Sequence, residues 1–313
     1  MKSNLTDLNR LLARQNFKDE KELQAFLNNL TGKSLYDLPK MDLTPEEQAE
    51  DLVYEAYNLT PAKAKKNIEK ALELDKNCID AYEYLAAIEK KLEKKLEILE
   101  KGIAIGRKKF GGKFLKENRG NFWGIHETRP FMRCLQHKAD MLWLLRKGAE
   151  CAAVYEEMFE LNDGDNQGVR FPLMSVLILL DEIEKFKKYD KIFADDCSMS
   201  MLYSRALFAF KTEGDTAKSR KAAKEAFEAN NYVIAMLTDK NFQFSGVSGY
   251  TMGSPEEAEV YLLHAFFAWH ETDNAIEWFI NTVINVLNKE EQKVVNGSSK
   301  NHKSVIVPFK NRK

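Results

Sequence analysis

The stretch Asn121–Arg170, NFWGIHETRPFMRCLQHKADMLWLLRKGAECAAVYEEMFELNDGDNQGVR, decides the fold. It begins with an aromatic, glycine-bearing approach. Apolar residues then recur at helical spacing as Leu135, Ala139 and Leu142, and again as Cys151, Tyr155 and Met158. The two runs are separated by a short polar break, which predicts two antiparallel amphipathic helices. The polar turn Asp163–Gly168 follows, and Asp165 is placed to cap a third helix.

Outward from this hairpin the chain repeats the pattern. Thr44-Pro45-Glu46-Glu47 gives a hydroxyl cap, a proline at the first helical position and a glutamate at the third. Its helix carries Ala49, Leu52, Val53, Ala56 and Tyr57 on one stripe. Thr60-Pro61 restarts a helix with Ala64, Ile68, Ala71, Leu72 and Leu74. Further helices carry Ala81, Tyr82, Leu85 and Ile88, then Leu92, Leu96, Leu99 and Ile103. Beyond the central hairpin, 168–181 is nearly all apolar, as in a helix buried on most sides. Residues 183–194 form its partner, and 199–212 and 216–229 another pair around Gly214-Asp215. Residues 240–253 are irregular. Ser254-Pro255-Glu256-Glu257 repeats the capping signature and launches a helix to about His270, followed by a last helix over about Asn274–Leu287.

The N-terminal part gives two short helices near 4–15 and 19–30, with Ser34–Asp42 as a linker. From Lys289 onward seven Lys or Arg stand against two Glu, with little apolar periodicity. The expected organisation is therefore an N-terminal helical segment (1–40), a helical repeat domain (41–288) and a flexible basic tail (289–313).

Bulk composition narrows the function classes. Hydrophobic residues make up 44% and charged residues 30% of the 313, with a formal net charge of −1. No global field drives such a chain toward nucleic acid or anionic lipid. The four cysteines, Cys78, Cys134, Cys151 and Cys197, are far apart and form no CxxC pair, so reduced thiols are expected rather than a disulfide or zinc framework. MKSNLTDLNRLLARQ lacks the apolar core of a signal peptide, and the longest apolar run, Phe171–Leu180, is shorter than the about 20 residues that span a bilayer. A soluble, cytoplasmic protein is expected.

The closing segments ALELD (71–75), MFELND (158–163) and AFEANN (226–231) each follow a helix with small residues at its crossing points. This resembles the tetratricopeptide repeat (TPR), a helix–turn–helix unit, although the usual Trp-Leu-Gly-Tyr set is absent. More specifically, Trp123-Gly124, Glu127-Thr128-Arg129-Pro130, Met132-Arg133 and Asp165–Arg170 resemble a group of bacterial TPR-containing proteins. In that group "FWG…ETRPYMR" precedes a helix pair and "LNPNDNQGVRY" follows it. The likeness covers roughly residues 5–280; a more distant one is to the suppressor of tumorigenicity 7 family. The chain departs at Phe131, Asp163-Gly164 and Phe171. The resemblance implies a right-handed α-solenoid of TPR-like antiparallel helix pairs and an adaptor role, and it carries over no activity.

Chemistry-bearing motifs fail one by one. His126-Glu127 and His270-Glu271 lack the second histidine of HExxH, since positions 130 and 274 are Pro and Asn. Asp163–Gly168 resembles the start of a calcium loop, but position 12 is Met174 where a bidentate glutamate is needed. The cations and aromatics of 107–119 are of the kind that bind single strands, yet their place between repeats predicts packing. Arg129, Arg133 and His137 share one helix face at i, i+4 and i+8. In a TPR-like stack that face lines the groove, where arginines clamp carboxylates. Trp123, Arg129, Arg133, His137, Asn166 and Arg170 are thus the expected partner-binding residues, with a protein or peptide as partner and with no catalytic residue, metal or cofactor. The competing expectation is an enzyme or nucleic-acid factor with a polar pocket around Trp123–Arg133. Internal pairing of the arginines to Glu127, Asp140 or helix-end carbonyls would be the purely structural outcome.

Overall fold

A computed structural model describes residues 4–32, 41–247 and 249–284. Among these, every regular element is helical apart from one antiparallel bridge between Asn121 and Asn162. The all-α expectation holds. Most of the expected linker and the whole expected tail lie outside the described residues. No helix among the described residues is long and apolar enough to cross a membrane.

The helices are α1 (Asn4–Ala13), α2 (Glu20–Leu30), α3 (Pro45–Ala56), α4 (Pro61–Leu74), α5 (Ile79–Ile88), α6 (Leu92–Lys109) and α7 (Gly112–Asn118). Two single 3₁₀ turns, Phe122–Gly124 and His126–Thr128, lead into α8 (Arg129–Leu144) and α9 (Gly148–Leu161). Then come α10 (Arg170–Leu179), α11 (Ile183–Ile192), α12 (Met199–Glu213), α13 (Ala217–Ala229), α14 (Tyr232–Thr238), α15 (Pro255–Glu271) and a last helix, α16, described over 275–284. The chain forms two compact units, Met1–Glu150 with Glu157–Asn166, and Cys151–Glu156 with Gln167 onward.

In the first unit α3 and α4 pack as a hairpin, as do α5 and α6. Thr44 and Glu47 make the reciprocal capping box at the start of α3. Ala49, Val53 and Ala56 of α3 meet Ala64, Ile68 and Ala71 of α4 and Ala81 of α5 in one buried cluster. Alanines at these crossings let the backbones approach closely. The same device joins α6 to α8, with glycine in place of alanine. A Cβ on Gly106 would stand 2.2 Å from the Phe131 ring, and one on Gly102 3.2 Å from Cys134 Sγ.

Residues 107–119, expected as a long link, instead complete α6 and form α7. Their aromatics turn inward: Phe110, Phe114, Phe122 and Phe131 form one cluster with ring centroids 5.3 to 6.3 Å apart. Rings packed on one another offer no stacking platform for bases. The stripe expectation fails at Tyr57 and Ile88, which are 60% and 50% exposed. Each stands at the C-terminal end of its helix, beyond the crossing that covers the preceding turns.

In the second unit α10 is wrapped by α11, α12 and α15. Its residues Leu173, Met174, Ser175, Val176, Leu177 and Ile178 are all buried, as its composition predicts. Contact between α10 and α15 departs from a plain repeat stack, in which each unit touches only its neighbours. Around α15 gathers a core of Tyr203, Tyr261, Trp269 and Phe279. Trp269 donates its indole N–H to Tyr261 Oη at 3.0 Å. Helix α14 has no counterpart in the sequence-based expectation.

The irregular segment 240–253 is held by α15. Ser254 caps that helix, but Glu257 does not reach back to Ser254 as a capping box requires. Its carboxylate accepts instead from Gly253 N at 2.7 Å and Asn230 Nδ2 at 3.0 Å. Two residues on, on the other side of the helix, buried Glu259 accepts from Ser245 N, Ser245 Oγ and Gly246 N at 2.5, 2.8 and 3.0 Å. Two buried carboxylates thus anchor the loop through its backbone, which is how a buried charge is satisfied without a cationic partner.

Candidate functional site

The six expected site residues fall into separate groups. Trp123 and Arg129 belong to the entry into α8. Thr128, fully buried, donates its hydroxyl to the carbonyls of Phe122 and Ile125 and so closes the double 3₁₀ turn. Arg129 Nε donates to Trp123 O at 3.0 Å, and its guanidinium lies 5.6 Å from the Trp123 ring centroid. Asn162, itself buried, receives Trp123 N–H at 3.3 Å and donates to Asn166 Oδ1 at 3.2 Å. Trp123, Arg129 and Asn166 therefore brace the turns at the two ends of the hairpin.

Arg170 belongs to the second unit. Its Nε donates to Asp196 Oδ2 at 2.6 Å, and its guanidinium covers the rings of Phe171 and Phe193 at 4.1 and 5.3 Å. The hydrogen bonds hold Asp196 below its ordinary carboxylate range against the opposing effect of burial. Here the arginine joins the start of α10 to the turn before α12.

Arg133 and His137 do converge, but on carboxylates of α5 rather than on Glu127 or Asp140. Arg133 Nε lies 2.8 Å from both oxygens of Glu83, and its Nη2 donates to Asp80 Oδ1 at 2.7 Å. His137 Nε2 stands 3.6 Å from Glu83 Oε1. Glu83 is almost buried, and burial pushes its carboxyl upward; hydrogen bonds from His137 and Arg133 outweigh this and hold it below the usual range. Arg133 is in turn raised by Glu83 and Asp80 against the desolvation that would lower it. Asp80 is pushed up to about 6, first by burial and then by the neighbouring Glu83 charge, with Arg133 opposing.

Two carboxylates, Asp80 and Glu83, stand against the one guanidinium of Arg133 in this cluster. The expected basic clamp is an acidic-leaning face with its arginine already engaged. Glu50 of α3 extends the same charge, since its field also acts on Asp80. Beside the cluster Tyr57 packs edge-on against Tyr84 at 5.0 Å. Desolvation and the Glu83 charge push the Tyr57 hydroxyl up to about 12, so it stays a neutral donor at physiological pH.

Sequence reasoning missed Tyr57, Asp80 and Glu83 as members of the group. The only local signal was two acidic residues at i, i+3 on an otherwise apolar helix. Their partner lies 50 positions away at Arg133. His126 and Glu127 are exposed on the second 3₁₀ turn, while Arg129 turns to Trp123. Among the described residues, no three His, Cys, Asp or Glu side chains come together as a metal ion would need. Compared with family models, curated proteins and solved structures, the chain matches none.

Proposed function

We propose that this protein is an interaction scaffold. Its TPR-like helix pairs, stacked as a right-handed solenoid, receive a segment of a partner protein on the face formed by α3, α5 and α8. One observation carries this: these three first helices meet in series and leave exposed Tyr57 beside the half-exposed Asp80–Arg133–His137 group. An aromatic ring next to charged side chains that are already oriented by one another is the composition of an interface anchor. Because carboxylates outnumber the guanidinium there, the complementary partner brings a lysine or arginine. His126 and Glu127 are exposed and Arg129 is engaged with the Trp123 carbonyl, which supports the scaffold over an enzyme using a pocket at Trp123–Arg133.

The test is affinity capture from the host lysate with the wild-type chain and with a Tyr57→Ala, Asp80→Lys variant of unchanged helicity and melting temperature. Proteins captured by the wild type and lost with the variant are expected. Identical sets of captured proteins would remove this face as the binding surface.

A further inference from the structure

Helix α1 is held to the first unit in an unusual way. Its most buried described side chains are Leu11 and an arginine, Arg10, only 8% exposed. Arg10 donates to Asp51 Oδ1 and Glu50 Oε2, both at 2.9 Å, and to the Glu47 carbonyl at 3.1 Å. Asp7 lies 3.8 Å away on its own helix. One turn on, Arg14 pairs with the Glu47 carboxylate. Helix α2 buries no residue at all. Among the described residues, the buried cluster of α3, α4 and α5 beneath has no member from α1, although Leu11 is itself buried.

A helix that seals the end of a repeat stack does so with an apolar stripe. In α1 the stripe Leu8, Leu11, Leu12 places only Leu11 in full burial, while the two arginines meet a row of carboxylates. Among the described side chains the contact thus rests largely on charge-assisted hydrogen bonds, which are specific in geometry; the pairs through the more exposed Glu50 and Arg14 are the part that salt weakens. Such a contact is exchangeable. Beneath it lies an acidic face of α3 made by Glu47, Glu50 and Asp51.

We infer that the α3 face made by Glu47, Glu50 and Asp51 is a docking site for an amphipathic helix bearing two arginines one turn apart. Helix α1 occupies it as a stand-in within the same chain. A partner helix of that kind displaces α1, and the tether gives α1 the advantage of a high effective concentration, so only a well-matched partner succeeds. The surface adjoins the Tyr57–Asp80–Arg133 group, whose Asp80 feels the Glu50 charge, but the inference rests on the α1 contacts and does not depend on that group binding anything.

The experiment uses the full-length chain and a fluorescein-labelled peptide of residues 4–15, NLTDLNRLLARQ. The Arg10→Glu variant, whose own α1 is repelled, is expected to bind the peptide about ten-fold or more tighter than the wild type. Adding Asp51→Lys to that variant is expected to abolish binding, and raising salt to weaken it. Hydrogen exchange on the Arg10→Glu variant is expected to lose protection within 4–30 and to keep it in α3–α5. Equal binding by wild type and variant, or no binding by the variant, overturns the inference. So does loss of protection through α3–α5, which would make α1 part of the core. Wild-type dimers that dissociate on adding free peptide would make the occupant a second copy and overturn the partner assignment.

Discussion

The two units start from the same local plan and differ in what covers their first helices. In the first unit α3, α5 and α8 follow one another, and Ala87, Ile88 and Tyr57 stay exposed at the ends of α5 and α3. In the second, α15 returns from far along the chain to pack on α10, whose residues Leu173 to Ile178 are all buried. The first unit meets its uncovered face with ion pairs between helices. The second fills the covered space with Tyr203, Tyr261, Trp269 and Phe279. A helix hairpin pattern thus does not say whether its inner face is open; a distant helix decides that.

The comparison breaks first in the cores. Trp269 and Leu135 are both 0% exposed. Trp269→Ala should cost about 3–5 kcal/mol and Leu135→Ala about 2–5 kcal/mol, measured by urea unfolding with circular dichroism. A Leu135→Ala loss below about 0.5 kcal/mol would place that side chain outside the core and shift the register of α8. A Trp269→Ala variant that leaves α10 as protected from hydrogen exchange as before would mean that α15 is not what shields it.

A smaller difference concerns pH. His264 on α15 lies with its Nε2 3.4 Å from Tyr155 Oη, and burial lowers its pKa from 6.5 to about 4. The folded state therefore resists protonation that the unfolded chain accepts. Stability from this group is complete above about pH 6.5 and is lost as pH falls toward 4, by up to about 3 kcal/mol. His264→Gln should flatten that window relative to the wild type in melts at several pH values. Parallel curves for the two proteins would mean that His264 is solvated in the native state.

Much of the fold was legible because it is local. Thr44-Pro45-Glu46-Glu47 announces a helix start through bonds that span three residues, and the box forms. Leu135, Ala139 and Leu142 announce a buried stripe through spacing alone, and all three are buried. What failed is what depends on distant chain. Glu257 looks like a capping residue until Asn230 and Gly253 compete for its carboxylate. Arg133 looks like a free cation until α5 presents Glu83. Arg129 and Arg170 read as ligand-binding for the same reason, and each is engaged by its own surroundings. Periodicity reports which face is apolar and is silent on which polar groups will meet across it.

The site itself sharpens the comparison at about 1–3 kcal/mol. Glu83→Ala leaves Arg133 without both Glu83 acceptor oxygens in a half-buried setting, a cost in that range. Arg133→Met with Glu83→Ala should restore part of it, because the Arg133–Glu83 pair is then removed together and only Asp80 is left without Arg133. Denaturant midpoints for the two single variants and the double variant measure the coupling. Strict additivity would show that the pair seen between α5 and α8 carries no energy, and the open face would then be held by apolar contacts alone.

The smallest effect lies where the two units agree. The turns after α8 and after α10 close alike. Lys147 N–H reaches Leu142 O and Glu182 N–H reaches Leu177 O, at 2.9 and 3.0 Å. Arg146 and Asp181 take the left-handed position at φ 60° and 58°. Glycine is the usual residue there, since a Cβ is disfavoured in that region. Aspartate tolerates it through its short polar side chain, and arginine has no such compensation in its backbone. From backbone strain alone Arg146→Gly should stabilise by roughly 0.5–1 kcal/mol and Asp181→Gly by less; each change also gives up its side chain's own contacts. Lys211 complicates the second turn by donating to Ile178 O at 2.7 Å and pairing with Asp181 at 2.6 Å, an ion pair that Asp181→Gly removes. If thermal melts instead show Asp181→Gly as the more stabilising change, both grounds for the expected order fail: the lower strain of aspartate in that region and the worth of the Lys211–Asp181 pair.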